Sequence, residues 1–187
     1  MLPGVISFCD HPNDGSHLNS LELHVLVLLK VRWILVDQEL FNIWLNVRVE
    51  VRDRNETFVL FDPQFGYRDL ARLFEAQDAD LSKRSLYIVT AWNPGGISRD
   101  SFANRVSEAQ LILLLLNAGV KYFVSVGSSG DWMEPGTAFF DTDPKLARTV
   151  ALLFGQLGYY IFGPLDGYCV DVTNTIEPRI LVGPANI

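Results

Sequence analysis

The run from Ile43 to Arg52 leaves the backbone little choice. Ile43, Leu45, Val47, Val49 and Val51 alternate with Trp44, Asn46, Arg48, Glu50 and Arg52. A helix would scatter those apolar side chains round its circumference, whereas a strand sets them all on one face. The alternation predicts a half-buried strand. Asp53–Glu56 is turn chemistry and Thr57–Phe61 is again β-rich, so the pair reads as a hairpin.

Further along, a short helix is expected over Tyr67–Gln77, with Leu70, Leu73 and Phe74 on one face. Leu86–Ala91 reads as a strand, stopped by Pro94-Gly95-Gly96. A long helix follows, capped at Ser98 with Asp100 in its first turn. Phe102, Val106, Ala109, Leu113 and Leu116 form its expected buried stripe. Tyr122–Val126 and Thr137–Phe140 read as strands round a Gly127–Gly130 turn. Asp143-Pro144 starts a second helix, and Tyr159–Phe162 is the next strand. Tyr168–Val172 and Ile180–Val182 are candidate edge strands. The order strand, helix, strand, strand, helix, strand is that of a ferredoxin-like βαββαβ core. The expectation is therefore an α/β (α+β sandwich) fold with an added N-terminal β-hairpin, forming one domain over 41–187. Residues 1–40 are expected to be a peripheral N-terminal segment; Leu21–Leu40 within them is a possible helix, though its Val25–Val36 stretch is β-branched.

Composition enters as an exclusion. With 49% hydrophobic and 20% charged residues, the chain has too much apolar surface to stay disordered. Fifteen Lys+Arg against 22 Asp+Glu give a net charge of −7, and no basic cluster exceeds the pair Lys83-Arg84. A phosphate-binding face is disfavoured, so no nucleic-acid partner is expected. No apolar run is long and clean enough for a spanning helix, and Met1–Ser20 lacks a basic start, so no membrane partner and a cytoplasmic location are expected. Cys9 and Cys169 lie far apart, as reduced thiols would.

Four short motifs carry a resemblance. Thr90-Ala91-Trp92-Asn93-Pro94, Asn104-Arg105, Trp132-x-Glu134-Pro135 and Phe154-Gly155-Gln156 together resemble a bacterial domain-of-unknown-function family, number 3293, over about residues 43 to 165. The resemblance implies a domain and no activity. It departs at Gly136, where the family pattern usually has serine.

The expected topology brings the Trp92–Ser98 loop, the Gly127–Glu134 turn and the Gln156–Gly158 junction to one end. Asn93, Asn104, Trp132, Glu134 and Gln156 are thus expected to line a common pocket there. Glu134 is the acid–base candidate, since apolar neighbours raise a carboxyl pKa. It reads equally as a carboxylate bonding to loop amides. Asn93 before Pro94 is a turn residue or a ligand-orienting one. Trp132 suits packing or stacking, and Gln156 suits a helix end or a ligand amide. On the long helix, Asn104, Glu108, Leu111 and Leu115 share a face, polar toward the motif end. No histidine follows His24, no P-loop occurs, and the spacing of Cys9, His11, His17 and His24 fits no zinc pattern. No metal or cofactor is expected. A small-ligand binding or regulatory module for a polar ligand is the favoured function, with a hydrolase or transferase using Glu134, or a protein–protein interaction domain, as alternatives.

Overall fold

A computed structural model describes residues 42–78, 80, 82–172 and 179–181, all within one compact unit, Leu40–Ile187. The expected N-terminal segment and the histidine-rich stretch lie outside the described residues. Residues 42–44 are helical, so the first strand starts later than the alternation implied. Strands β1 (Arg48–Asp53), β2 (Glu56–Asp62) and β3 (Gly66–Tyr67) precede helix α1 (Leu70–Glu75). Strand β4 (Ser85–Val89) leads into α2 (Ser101–Asn117), β5 (Tyr122–Ser129) and β6 (Trp132–Asp141). Helix α3 (Pro144–Leu153) then precedes β7 (Gly158–Phe162), β8 (Gly167–Asp171) and β9 (Arg179–Ile180).

The described strands form one nine-stranded sheet in the order β3-β2-β1-β5-β6-β4-β7-β8-β9. Every pairing in it is antiparallel. The sheet curls into a half-barrel, which corrects the expected ferredoxin-like βαββαβ sandwich. The reason lies in the flanks. The hairpin β1–β2 is no appendage, because β1 continues the sheet by pairing Arg48–Arg52 with Val124–Ser128 of β5. On the other side β8 and β9 extend it beyond β7.

Curling gives the sheet two apolar faces. One face buries Val49, Val51, Phe58, Leu60, Leu86, Phe123, Phe140 and Phe162, with α1 contributing Leu70, Leu73 and Phe74. The other face packs Tyr87, Val89 and Phe139 under Leu111 and Leu115 of α2 and Ala147, Val150 and Ala151 of α3. Each fully buried large aliphatic or aromatic side chain contributes about 1.5–3 kcal/mol. The stripe expected on α2 is also corrected. Phe102, Val106, Leu113 and Leu116 are exposed, and Asn104, Leu111 and Leu115 are the buried positions. Its N-cap is Asp100, whose carboxylate accepts from the Phe102 and Ala103 amides at 3.0 and 2.9 Å.

Candidate functional site

The end of β4 is where the motifs meet. Asn93 has a left-handed backbone, φ 46° and ψ 58°, a conformation asparagine tolerates better than most residues. Its side chain bonds through both its oxygen and its nitrogen. Oδ1 accepts from the Arg99 amide at 3.1 Å and from Asn104 Nδ2 at 3.0 Å. Nδ2 donates to Glu134 Oε2 at 3.3 Å. The Asn93 amide in turn donates to Asn104 Oδ1 at 3.0 Å. The loop is clamped from two further sides: Trp92 Nε1 donates to Glu108 Oε2 at 3.1 Å, and Gln156 Nε2 donates to the Trp92 carbonyl at 2.8 Å.

Beside this loop lies a cavity of about 500 Å³. Its apolar walls include Trp44, Val47, Ile88, Trp132 and Tyr160, and its polar groups include Asn93, Ser125, Glu134 and Gln156. Four of its described lining positions are glycines, and at three of them a side chain would press on a neighbouring residue. A Cβ on Gly127 would lie 3.1 Å from Val47, and one on Gly136 would lie 2.7 Å from Ser125 Oγ. On Gly158 it would overlap the Trp44 ring. Tyr160 closes the wall, its hydroxyl donating to the Trp44 carbonyl at 3.1 Å.

Glu134 is the one carboxylate among the described lining residues, and no described lysine, arginine or histidine accompanies it there. Burial pushes its pKa above the ordinary 4.5, while the Thr90 hydroxyl and the Asn93 amide pull it back. Its partners are side chains of the loop, not the loop amides of the alternative reading. Desolvation likewise raises the Tyr160 phenol well above 10.0, so it is a neutral wall at physiological pH.

The structure brings Asn93, Trp132, Glu134 and Gln156 together round this cavity. Asn104 differs: it is 2% exposed and sits behind Asn93, outside the lining. It positions the loop and does not face the space. Sequence reasoning missed Trp44, Ser125 and Tyr160. A signal for Ser125 existed, since Phe123, Ser125 and Gly127 share one strand face. Trp44 carried none, because it arrives from a separate part of the chain. Among the described residues no group of three or more His, Cys, Asp or Glu side chains could hold a metal ion. No described helix is long and apolar enough to cross a membrane.

A curled antiparallel domain with a single-carboxylate cavity at one end is the class that fold and site define. Residues 89–158 match the model of the family described as a protein of unknown function, DUF3293. The matched stretch runs from the end of β4 into β7 and holds every residue of the five expected to line the pocket. No curated protein and no solved structure matches the chain.

Proposed function

We propose that this domain binds a small polar ligand in the cavity beside Glu134, as a binding or regulatory module of the reducing cytosol. The observation that carries the reading is the single half-buried carboxylate, held at 3.3 Å by an asparagine that is itself pinned by Asn104. Such a second layer of hydrogen bonds is what a preorganised recognition group needs. The concave form of the site favours a small molecule over a flat protein partner. Cys169 is a buried free thiol whose pKa burial pushes far up, consistent with an inert core thiol in a reducing compartment.

The test is mass spectrometry of small molecules released from the purified protein, wild type against Glu134→Gln. The variant is expected to lose the co-purified ligand and its thermal stabilisation while remaining folded. Retention of the ligand by the variant would overturn the reading. A second reading, a hydrolase or transferase with Glu134 as acid–base, draws on the raised carboxyl pKa. Turnover of the released ligand by wild type but not by the variant would select it.

A further inference from the structure

Ser125 Oγ is the one buried side-chain polar atom without a hydrogen-bond partner among the described residues. Its residue is 1% exposed. A buried hydroxyl left unpaired costs free energy, so a native structure that keeps one invites a partner from outside the chain. Ser125 lines the cavity. It pairs across the sheet with Gly136, and its Oγ leans over that glycine, 2.7 Å from where a Cβ would stand. Glu134 lies two residues back along β6, on the same face. Thr90, just beyond β4, donates its hydroxyl to the Pro135 carbonyl at 2.9 Å, on the far side of the same strand. This wall of the cavity thus carries an unpaired hydroxyl and, on the same face, a carboxylate with no basic partner among the described lining residues.

The charge balance of the lining says what fits. Among the described lining residues one carboxylate faces the cavity with no basic side chain to neutralise it, and the whole chain carries −7. Both fields draw positive charge inward and repel anions. The walls beyond are Trp44, Trp132, Val47 and Ile88, which suit an apolar or aromatic body, and an indole face also attracts a cation. An ammonium offers three donors and no acceptor. A serine oxygen and a carboxylate are both acceptors for it.

We propose that the cavity takes a small organic amine, its ammonium seated between Ser125 Oγ and the Glu134 carboxylate and its apolar body against Trp44 and Trp132. This rests on the reading of the cavity as a ligand site and adds the chemical class of the ligand. Ser125 is the group that completes the seat, and the missing Cβ of Gly136 is what leaves room for its hydroxyl.

Three probes of similar size and opposite charge test the class: phenethylamine, 2-phenylethanol and phenylacetate, each titrated calorimetrically into the full chain. Phenethylamine is expected to bind at least about tenfold more tightly than 2-phenylethanol, a ratio typical of a charge-assisted hydrogen bond, and phenylacetate least. Glu134→Gln should bring the amine down to the level of the alcohol. Ser125→Ala should weaken the amine by about tenfold. In the same variant the ligand-free melting temperature should hold or rise, because an unpaired buried hydroxyl has been removed; a merely structural serine would give the opposite sign. Equal or tighter binding of the alcohol or the anion overturns the inference, as does amine affinity unchanged in Ser125→Ala. Binding of none of the three overturns it too, and the release experiment with Glu134→Gln then judges the ligand site separately.

Discussion

Asn104 and Asn93 exchange two hydrogen bonds across the start of α2, and this exchange holds the loop in its left-handed turn. Removing the buried partner leaves the Asn93 amide and carboxamide oxygen short of one bond each. Asn104→Ala is expected to cost about 1–3 kcal/mol in urea denaturation and to weaken ligand binding without touching the cavity wall. Glu134 behaves differently. Its folded pKa lies above 4.5, first because burial penalises the charged form. The folded state therefore holds this proton more tightly than the unfolded chain does. The stability it contributes is complete below pH 4.5 and is lost as pH rises through the folded value. Ligand-free Glu134→Gln is thus expected to melt higher than wild type at pH 7, with the gap closing as pH falls below 4.5; thermal melts across that range check the sign. At this scale the sequence was most readable where a residue type is rare in its setting. An asparagine before proline and a lone acid beside tryptophan pointed to Asn93 and Glu134. Ser125 is an ordinary strand residue, and its lack of a partner is a fact of three dimensions.

Helix α2 shows why an element's inner face can escape its sequence. From Leu111 to Leu116 every residue is leucine or isoleucine, so apolar periodicity marks no single face. The face that packs is the one whose upper end is Asn104, because the loop needed that amide. Leu111 and Leu115 are completely buried, whereas Leu113 and Leu116 are 57% and 53% exposed. Leu115→Ala is expected to cost about 2–5 kcal/mol, and Leu113→Ala no more than about 0.5 kcal/mol, measured side by side in urea. Asp100→Ala should cost about 1 kcal/mol by removing two bonds to amides of the first turn. The elements themselves were largely legible, since α1, α2, α3 and the central strands lie close to where caps, glycines and alternation put them. Their assembly was not. Local patterns give a strand its facing but carry no record of how many neighbours it takes, and the pairing of β1 with β5 joins segments more than seventy residues apart.

Across the whole domain the side chain of Tyr67 ties one rim of the sheet to the other. Tyr67, on the rim strand β3, donates its hydroxyl toward the Leu181 and Gly167 carbonyls at 2.7 and 3.1 Å, and accepts from the Gly167 amide at 2.8 Å. Burial raises its pKa above 10.0. By the same linkage its contribution is present below pH 10.0 and is lost as pH rises through the folded value. Tyr67→Phe leaves the Leu181 carbonyl and the Gly167 amide to find other partners, and a loss of about 1–3 kcal/mol in urea denaturation is expected. Alkaline melting curves should then differ less between wild type and variant than neutral ones do.

That clasp bears on how the molecule behaves in a crowd. The rim strands β3 and β9 are each only two residues long, and Tyr67 holds β3 against the stretch that carries β8. Open rims recruit further strands, and from such recruitment fibrils and swapped dimers grow. Among the described residues each rim strand is too short to serve as a template, and Tyr67 ties one rim to the other. A concentrated solution of the wild type should stay monodisperse in light scattering on heating to just below its melting point. Tyr67→Phe, with its rims released, should be the variant that seeds self-association.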